Sequence, residues 1–289
     1  MPIPDILILG ATSRIGRILH KTWPSSLRAR WQTRHPLMAP LPDWISFSPL
    51  LDHSALQAAA RGCQTILCLS GVIPGRVTPS PPLSDNVDLA LAAIEAGAAT
   101  GARVLLCSSA AVYGNQSLPL HEISPLVPAA PYGQVKLEME QAVAIRAQEL
   151  GVSYCALRIG NIAGIDSILG GWRPGFTLDQ FADGRTPQRS YIGALTLAQV
   201  LADLVQTPDL PTTLNIASPD VVEMGKLLDA AGLLWVPRPA QTGAIARVSL
   251  DTTRLKHLIP RAAIPETPEQ MVTQWRELEP HIIPRQDRP

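Results

Sequence analysis

The first half of the chain alternates between short unbroken apolar runs and stretches whose apolar residues recur every three or four positions. Ile6-Leu7-Ile8-Leu9 is a continuous apolar run closed by Gly10, the pattern of a strand buried on both faces. Behind it, Ile15, Ile18 and Leu19 fall on one side of a helix. Leu27–Thr33 and Trp44–Phe47 read as the second and third strands, Ser54–Arg61 as a helix stopped by Gly62, and Thr65–Leu69 as the fourth strand. A proline-rich loop over 73–82, expected to lie above that strand as a flap, leads into an alanine-rich helix at Val87–Ala99. Arg103–Cys107 is the fifth strand. Pro131 opens a long helix with the stripe Val135, Met139, Ala142 and Val143, Gly151 ends it, and Ser153–Leu157 is the sixth strand. Strands joined by helices require crossover connections. The pattern therefore predicts an α/β fold, a Rossmann-type, doubly wound parallel sheet.

After Arg158 the periodicity weakens. Residues 160–190 are rich in glycine and carry Trp172, Phe176 and Phe181 without a clear repeat. A helix over Leu195–Val205, a strand at Thr213–Ile216, and helices at Val222–Ala231 and Glu266–Leu278 follow. The expected organisation is a dinucleotide-type domain over 1–159, rejoined by about 191–217. A smaller, discontinuous C-terminal substrate region is formed by 160–190 and 218–289.

Composition narrows the function. The 289 residues carry 24 Lys+Arg against 24 Asp+Glu, which offers neither a basic footprint for nucleic acid nor a polybasic membrane patch. No apolar run approaches the ~18 residues of a membrane span. The four cysteines, Cys63, Cys68, Cys107 and Cys155, have no metal-ligand spacing, so no metal is expected, and buried free thiols suit a reducing compartment. A cytoplasmic protein with a small-molecule substrate is the expectation.

Two local patterns carry chemistry. Gly10-Ala11-Thr12-Ser13-Arg14-Ile15-Gly16 stands between a strand and a helix, where backbone N–H groups can meet a pyrophosphate. Gly10 permits the tight turn and Gly16 close packing of helix on sheet; Ser13 replaces the middle glycine and can donate a hydroxyl. An NAD site would place an acid at the end of the second strand, yet no acidic residue lies between Asp5 and Asp43. Thr33 and Arg34 stand there instead, with Arg14 as a possible second clamp, and an arginine fork matches a 2′-phosphate. The expected cofactor is NADP, with NAD as the alternative. Tyr132-Gly133-Gln134-Val135-Lys136 places a tyrosine and one of four lysines one helical turn apart. There an ammonium would lower the phenol's pKa. Ser109 ends the fifth strand, at the sheet edge where open parallel sheets bind ligands.

These segments together resemble the extended short-chain dehydrogenase/reductase family, the sugar-nucleotide epimerases, dehydratases and reductases. Gly10–Gly16 is similar to its cofactor turn, Cys107-Ser108-Ser109-Ala110-Ala111-Val112-Tyr113-Gly114 to its serine strand, and Pro131–Lys136 to the start of its catalytic helix. Leu157-Arg158-Ile159-Gly160-Asn161 and Arg189-Ser190-Tyr191-Ile192 resemble its later substrate-side segments. The resemblance implies Tyr132 as general acid/base, with Lys136 lowering its pKa and holding the nicotinamide ribose, and Ser109 orienting the reacting oxygen. It implies Leu69, Ser70, Gly71 and Asn86 beside the cofactor, Asn161 and Arg189 toward the substrate, and a homodimer through helices 87–99 and 132–150. Ala110-Ala111 stands where 4,6-dehydratases carry an acidic pair, which argues against dehydration. Pro49-Leu50 replaces a frequent acid near the adenine, and 27 residues between Asn161 and Arg189 are few for a full nucleotide-sugar pocket. An NADP-dependent oxidoreductase acting on a sugar, nucleotide-sugar or similar keto/hydroxy substrate leads. An NAD-retaining epimerase is the alternative, and a non-catalytic dinucleotide regulator comes third.

Overall fold

The structure, a computed structural model, describes residues 5–37, 39, 41–74, 81–116 and 119–282. The centre of the proline-rich loop, 75–80, lies outside the described residues, and with it the expected flap. In chain order the elements are β1 (Ile6–Leu9), α1 (Arg14–Thr22), β2 (Ala29–Thr33), β3 (Trp44–Ser46), α2 (His53–Ala60), β4 (Thr65–Cys68), α3 (Asp85–Thr100), β5 (Arg103–Ser109), α4 (Pro131–Leu150), β6 (Tyr154–Ile159), β7 (Asn161–Ile162), β8 (Thr177–Gln180), β9 (Gln188–Ile192), α5 (Ala194–Leu204), β10 (Thr213–Ile216), β11 (Val221–Glu223), α6 (Met224–Ala230), β12 (Val236–Pro239), β13 (Arg247–Val248), α7 (Thr253–Leu258) and α8 (Pro268–Ile282).

Among the described residues, seven strands form one parallel sheet in the order β10-β6-β5-β4-β1-β2-β3. Alternation within β1 assigns its two faces: Ile6 and Ile8 face a core completed by α1, α5 and α8, while Leu7 and Leu9 face one completed by α2, α3 and α4. Both faces are covered, which is why the strands read as unbroken apolar runs. The order reverses between β1 and β4, so the connections leave the sheet in opposite directions there and open a crevice at its carboxyl edge.

The rejoining segment is α5 and β10, which pairs with β6; Tyr191 and Ile192 belong instead to β9 in a separate four-stranded sheet with β7, β11 and β13. The expected helix at Val222 begins only at Met224. Val221–Glu223 pairs antiparallel with β9, because the β-branched Val221 and Val222 extend the small sheet and bury Val222. The alanines of α3 turn inward: Ala90, Ala92, Ala93 and Ala96 are buried, and α3 packs on α4 within the chain. Ala98 and Ala99, near the end of α3, are exposed. Among the described residues no helix is long and apolar enough to cross a membrane.

Candidate active site

The glycine turn is built by local hydrogen bonds. Gly10 adopts φ +78°, a left-handed conformation, and donates its N–H to Gln32 Oε1 at 2.9 Å. Ser13 caps α1, its Oγ accepting from Gly16 N at 3.0 Å. A Cβ on Gly10 would lie 2.8 Å from Ser70 N and Oγ, so the turn and the end of β4 meet across a gap no side chain can share.

The crevice between them has two halves. The inner half, a cavity of about 170 Å³, is lined by Ser13, Arg14 and Ile15 from α1 and by Leu69–Ile73 and Asn86 near β4. Ser109, Tyr132, Lys136, Gly160, Ile162 and Ile165 complete it. The outer half, about 260 Å³, is lined by Gly10, Thr12, Ser13, Gln32, Arg34, Ser48–Leu50, Leu69–Ile73 and Asp85. The shared walls, Ser13 and Leu69–Ile73, make one elongated groove that passes the N-terminus of α1, where helix N–H groups attract an anion.

At the inner end β5 and α4 bring Ser109, Tyr132 and Lys136 together. Tyr132 and Lys136 project from the first two turns of α4, the Lys136 Nζ standing 5.9 Å from the phenol ring centroid. Gly133 between them allows the helix to seat: a Cβ there would lie 2.4 Å from the Ala111 carbonyl oxygen. Ser109 accepts the Ala111 N–H at 3.2 Å and lines the same cavity as the Tyr132 phenol. Burial pushes that phenol up to about 12, and the Cys107 thiol beside it acts the same way; the Ser109 hydroxyl and the charge of Arg14 pull it down. Lys136 is buried, which pushes its ammonium down, and it donates to the Cys107 carbonyl at 2.8 Å. Thus the expected Lys136–phenol pairing is here a contact with the ring, the ammonium being anchored on β5.

Behind this surface lies a polar network that the sequence did not single out. Glu140, one turn beyond Lys136, receives Arg158 Nη2 at 2.7 Å and Nε at 3.1 Å, and accepts the Ser108 hydroxyl at 2.5 Å. Arg158 also donates to the Tyr113 hydroxyl and the Glu122 carbonyl, each at 2.9 Å, and Tyr113 donates to Asn215 at 2.7 Å. A charged helix residue spaced one turn after Lys136 was the available signal.

The remaining expected residues line the groove, flank it or lie beyond it. Asn86 is 1% exposed and pins the loop after β4, donating to the Val72 and Leu83 carbonyls and accepting the Val72 N–H. It lines the groove but is no helix cap. Thr33 turns away and donates to the His35 carbonyl at 3.1 Å. Arg14, expected as a second clamp, lines the inner half, and its guanidinium donates to the Ile165 carbonyl. Asn161 sits between the groove-lining Gly160 and Ile162, paired with Tyr191 across β7 and β9. Arg189 lies outside both halves of the groove, because β9 carries it into the small sheet. Its guanidinium donates to the Gln188 carbonyl at 2.8 Å and the Ile245 carbonyl at 2.9 Å.

A model of the NAD dependent epimerase/dehydratase family matches residues 6–169, the span holding the glycine turn, Ser109, Tyr132 and Lys136. The chain belongs to this epimerase/dehydratase family. Over 65 residues it is 43% identical to a UDP-glucose 4-epimerase of Lactobacillus helveticus, covering 22% of this chain and 20% of that one. A UDP-glucose 4-epimerase of Azospirillum brasilense is 42% identical over 65 residues, 22% of this chain and 19% of that one. The match thus spans about a fifth of these curated relatives. In fold the chain is similar to a UDP-glucose 4-epimerase from Brucella ovis solved with NAD, at TM-score 0.77 and 18% identity over 93% of this chain and 96% of that one. MoeE5, solved with UDP-glucuronic acid and NAD, gives TM-score 0.74 and 21% identity over 95% and 99%.

Proposed function

We propose that this member of the epimerase/dehydratase family binds a nicotinamide dinucleotide in the groove. There it transfers hydride to or from a carbinol or carbonyl carbon of a sugar or nucleotide-sugar. The observation that carries the reading is the convergence of Ser109, Tyr132 and Lys136 in one cavity continuous with the glycine turn. The residues present fit a dinucleotide: a turn without side chains at Gly10, a helix N-terminus for pyrophosphate, and a groove of two joined halves. A bound nicotinamide would supply the hydride donor or acceptor. Tyr132 gives a proton to the reacting oxygen in reduction and takes it in oxidation, while the Ser109 hydroxyl orients that oxygen. Lys136, fixed on the Cys107 carbonyl, would hold the nicotinamide ribose.

The 2′-phosphate reading favours NADP, because Arg34 and Ser48 stand in the outer half and Gln32, at the end of β2, is occupied by Gly10 N and the Phe47 carbonyl. The second reading, an epimerase that retains NAD, is favoured by the family itself and by the UDP-glucose 4-epimerase relatives. Retention separates the two: dinucleotide that co-purifies and does not exchange supports the epimerase, free exchange supports net redox chemistry. Hydride transfer from UDP-glucose or UDP-galactose, followed at 340 nm, tests the chemistry. Tyr132→Phe is expected to lower its rate by about 10²–10⁴-fold while dinucleotide binding persists. An unchanged rate would remove Tyr132 from the mechanism.

A further inference from the structure

The cavity that Tyr132 lines receives side chains from three elements. β5 contributes the Cys107 thiol and the Ser109 hydroxyl, α4 contributes Lys136, and α1 contributes Arg14. The two cations are not equivalent. Lys136 is anchored on the sheet and on its own helix, its Nζ held by the Cys107 carbonyl at 2.8 Å and lying 3.8 Å from Met139 Sδ. It meets the phenol at the ring, 5.9 Å from the centroid. Arg14 comes from the helix layer on the other face of the sheet, since α1 and α4 pack in different cores. Its guanidinium donates to the carbonyl of Ile165, a residue that lines the same cavity as Tyr132 and Ser109. The charge is therefore fixed at the wall of the reactive chamber, and a guanidinium keeps it at every working pH.

We propose that Arg14 is a positioning residue for the acid/base step, a second fixed cation that favours the ionised Tyr132 hydroxyl from the layer opposite Lys136. The proposal rests on the reading of Tyr132 as acid/base. Electrostatics agrees in direction, because the charge of Arg14 opposes the upward push that burial and Cys107 exert on the phenol. The arrangement also explains why an arginine in the glycine turn points away from the adenine half.

The wall on which Arg14 rests has its own anchors. Asp166 accepts the Tyr191 hydroxyl at 2.7 Å and the Leu169 N–H at 3.0 Å, so removing the Arg14 charge leaves Ile165 held. With the four tyrosines labelled with ¹³C at Cζ, the Tyr132 resonance is identified by its loss in Tyr132→Phe. It is then titrated in wild type, Arg14→Met and Arg14→Lys, with and without saturating oxidised dinucleotide. Arg14→Met is expected to titrate about one pH unit higher, a roughly tenfold smaller phenolate fraction at a given pH. The alkaline limb of hydride transfer should move by the same amount, and Arg14→Lys should restore most of both. Arg14→Gln carries the same comparison where the methionine variant does not fold. Coincident Tyr132 titrations in wild type and in the uncharged variant would overturn the proposal. Failure of the acid/base reading is distinguishable: Tyr132→Phe would then keep its hydride transfer, whatever the titrations showed.

Discussion

At the scale of single residues, the acid/base role proposed for Tyr132 sets opposing demands on it. Burial beside Cys107 holds its phenol up to about 12, whereas a base for alcohol oxidation must ionise. The sign follows directly. Oxidation uses the phenolate, so its rate should rise about tenfold per pH unit through neutrality until the phenol of the loaded enzyme titrates, while reduction uses the phenol and should stay flat there. Initial rates in both directions between pH 6 and 9 check this; a flat oxidative profile would point to another base. The candidate site residues were legible because their signals are local: a tyrosine and lysine one turn apart, glycines spaced around a helix start. Arginine roles were not. Arg14 and Arg189 are directed by carbonyls 151 and 56 residues away in sequence, Ile165 and Ile245, and nothing in their neighbourhoods announces those partners.

At the scale of elements, α4, which carries Tyr132 and Lys136, is held by a buried ion pair and a close approach. Glu140 joins α4 to β6 through Arg158 and to β5 through Ser108, the residue before Ser109. Both partners of the pair are buried, at 9% and 5% side-chain exposure. Glu140→Ala leaves a buried guanidinium unpaired and is expected to cost about 3–5 kcal/mol, read from chemical denaturation. Gly133→Ala drives a methyl into the Ala111 carbonyl and should displace Tyr132 relative to Ser109. A hydride-transfer rate reduced by at least about tenfold, with dinucleotide affinity retained, is the expected outcome; ~1 Å of misplacement costs that much or more. Elements with strong periodicity, β1 through α4, emerged from the sequence with boundaries within a few residues. The short strands did not: β8, β12 and β13 hold two to four residues each, and β12 contains two prolines and is exposed throughout. Their pairing is decided by tertiary context, which no local pattern carries.

At the scale of the whole molecule, the parallel sheet separates two helix layers and brings the candidate site residues to the edge where its order reverses. α4 supplies Tyr132 and Lys136 from one layer, α1 supplies Ser13 and Arg14 from the other, and β5 supplies Ser109 between them. The homodimer implied by family resemblance would use the outer surfaces of α3 and α4, where Ile145 is 63% exposed. Ile145→Glu is expected to shift the protein to a monomer in sedimentation velocity, and an unchanged species would place any dimer elsewhere. Of the whole, the layered sheet and the groove could be anticipated from strand–helix alternation. The small sheet that draws Arg189 away from the groove could not.

The most direct test of a dinucleotide groove with Arg34 at its outer end is binding itself. NADPH and NADH are titrated separately, by quenching of tryptophan fluorescence, into wild type and Arg34→Ala after any co-purifying dinucleotide has been removed and identified. Saturable binding of one dinucleotide per chain is predicted, with NADPH preferred about tenfold or more in wild type and the preference lost in Arg34→Ala. Binding of neither dinucleotide, from a protein that also carries none, would contradict the account.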